Sequence, residues 1–262
     1  MKNIDLNMLD DLMSVGEMDL SPDGGKVAFD VARISKNDSY QSRIYLHSLE
    51  KGKLTPVTEE KKYYFPRWNG EEGLLFLSKG EDGTSLLTLD LLDSPSPVKI
   101  AEFKGNLIYY EVNNKGEVLF LGRKSPKGKD DIQKIDKIPF WGNGIGYTHD
   151  RPVGLYKLEL NTGKVSELEA GESNVYSACY SNSGEKISYL VENDKKNPLF
   201  SDLLVIDKDG SGKKVIAKDF VPDPGSIPTW SPEDKKIALQ GHKFSSGYAT
   251  NNDIWLIDPE GE

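Results

Sequence analysis

Short apolar runs alternate along this chain with tight polar turns, and the same order of features occurs five times. The first copy is the turn Ser21-Pro22-Asp23-Gly24 followed by the apolar run Val27-Ala28-Phe29. Proline presets φ at the second turn position, aspartate bonds its own backbone, and glycine accepts a positive φ. Each copy therefore predicts a β-hairpin. Equivalent turns begin at Asn69, Asn113, Ser181 and Ser231.

Each hairpin is followed by a third apolar strand and, in four copies, by a short fourth strand, as in residues 203–207 and 214–216. Three of the four spacings between turns lie close to the roughly 40–50 residues of a four-stranded propeller blade. The pattern predicts an all-β fold, a β-propeller of four-stranded antiparallel blades with about five present. The alternative is five unrelated hairpins. The predicted blades are residues 17–58, 62–101, 106–170, 174–217 and 226–262.

The fifth predicted blade is incomplete, because residues 258–262 follow its third strand and no closing strand is left. Blades bury their faces against neighbouring blades, so an arc that stops short leaves an apolar face in water. We therefore expect the chain to be a fragment of a longer protein. We also expect it to associate with itself through the uncovered face and the open strand edge.

The N-terminal residues have a different periodicity from the repeats. Apolar side chains fall at Ile4, Met8, Leu9, Leu12 and Met13, which is helical spacing with one apolar face. The sequence therefore predicts an N-terminal helical segment within residues 1–16. The start of the chain lacks the basic residues and apolar middle of a signal peptide, which favours a cytoplasmic protein.

The composition changes this picture by excluding partners. The formal net charge is -9, so the chain lacks the basic surface that neutralises phosphates, and we expect no nucleic acid partner. No apolar run approaches the roughly 20 residues that span a bilayer, so we expect no membrane partner. The single cysteine, Cys179, cannot form an internal disulfide and is interpreted as a small core residue.

Catalytic and cofactor chemistry is not visible in the sequence. No serine stands in the Gly-x-Ser-x-Gly pattern that exposes a nucleophile, so we expect no catalytic residue and no enzyme activity from this chain alone. His47, His149 and His242 are interpreted as structural or solvated. No metal motif and no cofactor site is predicted, since the calcium-like run from Asp207 has Lys218 where a bidentate glutamate belongs.

One irregular insert, residues 123–153, lies between the second and third strands of the third blade. Its first half is polar, and its second half places aromatic residues among glycines. Loop aromatics either pack onto their own domain or contact a partner. Trp141, Tyr147 and Arg151 are therefore the candidate partner or substrate contacts, with packing onto the domain as the alternative.

These features together resemble the N-terminal propeller of the prolyl oligopeptidase family of serine peptidases, in its acylaminoacyl-peptidase branch. The resemblance rests on residues 10–16 before the first turn, on Pro139-Phe140-Trp141, and on Gly146-Tyr147-Thr148-His149-Asp150-Arg151 followed by Leu155-Tyr156. It implies a parent propeller of about seven blades followed by an α/β-hydrolase domain. Neither the last blades nor the hydrolase is in this sequence.

Two functions follow. The resemblance implies a substrate-gating propeller of a cytoplasmic serine oligopeptidase, of acylaminoacyl- or dipeptidyl-peptidase type. The peptide substrate would be cut by the attached hydrolase domain. The alternative is a non-enzymatic protein-binding propeller of the translocation-associated kind. A nucleophile elbow downstream of Glu262, or further blades in its place, distinguishes the two.

Overall fold

The computed structural model describes residues 12–34, 39–92, 94–113, 115–126, 135, 141–142, 146–169, 171–193, 197, 199–243 and 251–261. Every regular element among these residues is a β-strand, and every pair of named strands is antiparallel. The all-β prediction is therefore confirmed. The chain forms two compact units, residues 1–104 and residues 105–262.

The first unit consists of two four-stranded sheets, each joined in sequence order. These sheets correspond to the first and second predicted blades. The first sheet contains β1 (Met13–Leu20), β2 (Lys26–Ile34), β3 (Tyr40–Ser48) and β4 (Leu54–Pro56), and the second contains β5 (Tyr63–Trp68), β6 (Gly73–Lys79), β7 (Thr84–Asp90) and β8 (Ser94–Phe103).

The second unit contains the remaining strands. The third blade consists of β9 (Gly105–Val112), β10 (Glu117–Lys124), β13 (Val153–Glu159) and β14 (Lys164–Glu169), and its insert holds the two-stranded pair β11 (Trp141–Gly142) and β12 (Gly146–Tyr147). The fourth blade consists of β15 (Val175–Tyr180), β16 (Lys186–Glu192), β17 (Ser201–Asp207) and β18 (Lys214–Pro222), and the fifth of β19 (Thr229–Trp230), β20 (Ile237–Lys243) and β21 (Asp253–Ile257).

The repeated turn between the first two strands has the predicted chemistry. In the first blade the backbone N–H of Gly24 donates to the Ser21 carbonyl at 2.8 Å, and the N–H of Lys26 donates to Ser21 Oγ at 2.8 Å. The same pair of bonds recurs at Ser181 and Ser231. Gly24 has φ of 71°, and Asp234 takes the equivalent place in the fifth blade with φ of 56°.

Apolar side chains fill the space between adjacent sheets. In the first unit, Ala28 and Ile44 of the first blade pack in one cluster with Trp68 and Phe76 of the second. In the second unit one cluster joins the third and fourth blades, and another joins the fourth and fifth. The core is therefore divided among the sheet-to-sheet interfaces, as expected for stacked repeats.

A polar contact between neighbouring blades recurs two residues before the repeated turn. Asp19 Oδ2 accepts the backbone N–H of Trp68 at 2.8 Å, and Glu111 Oε1 accepts the N–H of Tyr180 in the same way. Cys179 takes this place in the fourth blade, where its sulfur accepts the N–H of Trp230. The side chain thus satisfies a partly buried amide of the next blade each time.

The predicted helical segment 1–16 is wrong over its last four residues. Residues 13–16 belong to β1, and the backbone of Met13 pairs with Arg33 and that of Val15 with Val31. The open edge of β2 gives these residues ladder partners, and that pairing outweighs helical spacing. Leu12 and Met13 stay exposed. Residues 1–11 lie outside the described part of the chain.

The boundary between the fourth and fifth predicted blades also differs, because β18 continues to Pro222 instead of ending at 217. Its last residues pair with β20, Phe220 with Lys243 and Pro222 with Gly241, so the two blades form one seven-stranded sheet. Gly241 permits this approach, since a Cβ there would lie 2.4 Å from the Val221 carbonyl oxygen.

Candidate functional site

The described part of the insert is centred on a short antiparallel pair that carries the two aromatic candidates. Trp141 of β11 pairs directly with Tyr147 of β12, so their side chains project from the same face of the ribbon. Trp141 is 55% exposed and Tyr147 is 47% exposed. Pro139 and Phe140, which also carried the resemblance, lie outside the described residues. The ribbon therefore presents two adjacent aromatic surfaces to solvent.

Arg151, the third candidate, holds the ribbon in place. Its guanidinium donates through Nε to the Tyr147 carbonyl at 3.1 Å, and its Nη2 donates to the same oxygen. Its Nη1 reaches the Lys124 carbonyl at 3.4 Å, at the end of β10. Only 11% of the Arg151 side chain is exposed. The fork of donors thus ties β12 to the third blade and leaves little of the side chain for a ligand.

A second arginine, Arg123, supports the same corner, and sequence reasoning did not single it out. Its Nη1 donates to the backbone carbonyls of Thr148 and Arg151. Burial, and after it the neighbouring charge of Arg151, lower the pKa of Arg123. The sequence did contain a signal for Arg123, because an arginine at the end of an apolar strand carries N–H donors that need acceptors nearby.

His149 follows the ribbon and is half-buried. Its ring meets the Tyr147 ring edge-on, with 6.0 Å between ring centroids. Its Nδ1 is buried and has no hydrogen-bond partner among the described residues. The backbone N–H of Arg151 donates to the Thr148 carbonyl at 3.1 Å and closes the turn that contains His149. The histidine thus packs against the Tyr147 ring.

A cavity of about 380 Å³ adjoins Arg151 and is lined on its blade side by Lys124, Tyr156 and Glu167. Lys124 Nζ lies 2.8 Å from Glu167 Oε1 and 5.7 Å from the centre of the Tyr156 ring. Burial and the hydrogen bond to Glu167 raise the pKa of Tyr156. Burial opposes ionisation of Glu167, yet the bonds from Lys124 and Tyr156 lower its pKa. The sequence analysis named Tyr156 only as part of the resemblance and did not group the three as a site, because they come from three different strands.

The remaining residues considered for chemistry are distributed through the sheets. His47 lies in β3, and His242 lies in β20 with its Nδ1 2.8 Å from Asn252 Oδ1. Burial raises the pKa of the Cys179 thiol, which does not favour a nucleophilic thiolate. Asp207 begins the turn between β17 and β18, where its carbonyl accepts the N–H of Gly210.

Neither a metal cluster nor a membrane-crossing helix is found in the described ranges. Among those residues, no group of three or more histidine, cysteine, aspartate or glutamate side chains is placed to hold a metal ion. The same ranges contain no helix that is long and apolar enough to cross a bilayer.

Comparison with known proteins identifies the fold. No protein-family model and no curated protein sequence matches the chain. Among solved structures, acylaminoacyl peptidase from Pyrococcus horikoshii is similar with a TM-score of 0.75 and 15% identity, covering 96% of this chain and 40% of that one. The β-propeller domain of the trilobed protease from Pyrococcus furiosus is similar with a TM-score of 0.65 and 16% identity, and the match covers 94% of this chain and 68% of that one. TolB from Acinetobacter baumannii is similar with a TM-score of 0.59 and 14% identity, and the match covers 95% of this chain and 52% of that one.

These likenesses confirm that the antiparallel sheets are blades of a β-propeller. Acylaminoacyl peptidase, whose propeller the sequence resembles, is therefore among the structural neighbours, as is the propeller of the trilobed protease. The chain spans about two fifths of the acylaminoacyl peptidase chain that it matches.

Proposed function

We propose that this chain is the substrate-gating propeller of a cytoplasmic serine oligopeptidase, of acylaminoacyl- or dipeptidyl-peptidase type. The observation that carries the proposal is the match of 96% of the chain to acylaminoacyl peptidase at a TM-score of 0.75. The anchored aromatic ribbon of the third blade adds a second argument. On this proposal a separate hydrolase domain supplies the nucleophile, and the propeller decides which peptides reach it.

The ribbon suits contact with extended peptides. Trp141 and Tyr147 offer large apolar surfaces that cost little conformational entropy to immobilise. Arg151 and Arg123 act as positioning residues, because their guanidiniums hold backbone carbonyls at the base of the ribbon. A rigid aromatic pair can bind the side chains of a flexible peptide in an extended conformation. A folded protein presents few side chains on extended, accessible segments.

The test uses the longer polypeptide that the proposal requires, with acylated peptides of increasing length and one folded protein as substrates. We expect cleavage of short peptides and none of the folded protein. Trp141→Ala and Tyr147→Ala should each lower kcat/KM by about tenfold, mainly through KM, which corresponds to ~1.4 kcal/mol of lost contact. Tyr40→Ala, at an exposed tyrosine of the first blade, is the control and should change neither constant.

Cleavage of the folded protein at a rate similar to that of short peptides would contradict gating. Equal kcat and KM values for all three variants would show that the aromatic ribbon does not contact the substrate.

The second candidate is a non-enzymatic protein-binding propeller, favoured by the likeness to TolB over 95% of this chain. Its discriminating observation is the sequence that follows Glu262 in the gene. Further blades with no Gly-x-Ser-x-Gly would support this candidate and contradict the peptidase proposal.

A further inference from the structure

The second unit contains another cavity, of about 390 Å³, whose lining differs from that of the cavity beside Arg151. It opens between the first strands of the third and fourth blades and the turn that follows β18. Tyr109 of β9 and Tyr176 of β15 form two walls, and Leu190 of β16 and Ile227 add apolar surface. Its volume lies in the roughly 300–1,000 Å³ range of small-molecule sites. The cavity is large enough for one aromatic ring system with a short chain.

Among the described residues that line this cavity, Asp223 is the one with a carboxylate. Asp223 begins the turn Asp223-Pro224-Gly225-Ser226, which the Ser226 N–H closes by donating to the Asp223 carbonyl at 2.9 Å. The Asp223 N–H donates to the Gln240 carbonyl at 3.1 Å, so the turn is fastened to β20. Gly225 has φ of 84°, which this turn requires. The backbone therefore holds the carboxylate at a fixed place.

The orientation of the carboxylate is also fixed by neighbouring side chains. Asn252 donates its Nδ2 to Asp223 Oδ1, and Asn252 Oδ1 lies 2.8 Å from Nδ1 of the buried His242. Among the described residues, no lysine or arginine forms an ion pair with Asp223. Asn252 donates to one oxygen of a carboxylate that lines an apolar cavity, and a carboxylate can accept further hydrogen bonds.

We propose that this cavity binds an apolar or aromatic group that carries a protonated amine. The apolar walls would bury the ring, and the ammonium would donate to Asp223 beside the tyrosine rings. An anionic ligand would be repelled by Asp223. A neutral apolar ligand would cover the carboxylate, which would then have the Asn252 amide as a donor but no compensating positive charge. The net charge of -9 favours approach of a cation. This inference does not depend on the peptidase proposal.

The first experiment titrates tryptamine into the 1–262 chain by isothermal calorimetry, beside tryptophol, which replaces the amine with a hydroxyl. We expect tryptamine to bind at least tenfold more tightly than tryptophol, because a charge-assisted hydrogen bond is stronger than a neutral one. Asp223→Asn keeps the size of the side chain and its bond from Asn252, and it should abolish that difference. Asp209→Asn removes the same charge from an exposed turn of the same unit and should bind like the original chain.

Two peptides distinguish the source of the ligand. If Trp-Gly-Gly binds like tryptamine and its N-acetylated form does not, the site accepts the amino terminus of a peptide. If only tryptamine binds, the site takes a free amine, and either result supports the proposal. Equal affinities for tryptamine and tryptophol, an unchanged affinity in Asp223→Asn, or no binding of tryptamine at millimolar concentration would each overturn it.

Discussion

The contact between Asp19 and Trp68 allows a sharp test of how neighbouring blades are held together. Asp19 Oδ2 accepts the Trp68 backbone N–H at 2.8 Å, and the Trp68 indole Nε1 donates to the Asp19 backbone carbonyl at 3.1 Å. Replacing Asp19 by alanine removes only the first of these bonds. Trp68, which is 7% exposed, then keeps its position but has a partly buried N–H without an acceptor.

The expected cost follows from that orphaned donor. A buried amide that loses its acceptor destabilises the folded state by about 1–3 kcal/mol. Asp19→Asn retains a side-chain carbonyl at the same place, so its cost should stay below about 1 kcal/mol. Glu81→Ala removes one negative charge from an exposed turn of the same unit and serves as the control, with no measurable effect expected.

The assay is urea unfolding of the three variants, followed by tryptophan fluorescence, with Trp68 as a reporter close to the contact. The loss for Asp19→Ala should exceed that for Asp19→Asn, with unchanged m-values. Equal losses for the alanine and asparagine variants would refute the hydrogen-bond argument. A loss as large in Glu81→Ala would assign the effect to net charge instead.

Four further predictions follow from individual residues. Burial raises the pKa of Asp30, so the folded state holds the carboxyl proton more tightly than the unfolded state does. The free energy of unfolding should therefore fall as the pH rises from about 3.8 through the raised pKa. In Asp30→Asn, the urea midpoint should change less with pH over this range. Gly241→Ala should lower the free energy of unfolding by about 1–3 kcal/mol, because the new Cβ would meet a carbonyl oxygen of β18, and an unchanged melting temperature would contradict this. The Cys179 thiol, whose pKa burial raises, should react with a disulfide reagent far more slowly in the folded than in the urea-unfolded chain, and equal rates would show that it is accessible. Finally, Ile254 and Leu256 of β21 are 76% and 70% exposed, so the 1–262 chain should sediment as oligomers. The double variant Ile254→Lys, Leu256→Lys should shift the sedimentation towards the monomer.

Local chemistry made most of the blades predictable. The turns beginning at Ser21, Ser181 and Ser231 need a residue that accepts positive φ and a serine oxygen that accepts a backbone N–H, and both needs are met within five residues of the serine. Alternating apolar runs between such turns can bury one face only as strands. Residues 258–262 were predicted to follow the third strand of the fifth blade, and β21 ends at Ile257.

The candidate site was predictable only in part. Trp141 and Tyr147 were recognisable because aromatic residues among glycines in a loop are unusual. Their direct pairing and their exposure depend on the backbone of the insert. Arg151 was grouped with them as a contact residue, but the structure turns its guanidinium inward to the Tyr147 and Lys124 carbonyls. Sequence does not reveal which way such a side chain points.

Stacking of the sheets decided the rest. The sequence by itself determined the strand-turn repeat, the β class and the absence of a nucleophile elbow, because each depends on residues that are close along the chain. Other features join residues that are far apart in sequence. These are the pairing of Asp19 with Trp68, the continuation of β18 onto β20, and the carboxylate in the lining of an apolar cavity. Such contacts form only when whole sheets pack, since packing brings together groups that have no local preference for one another.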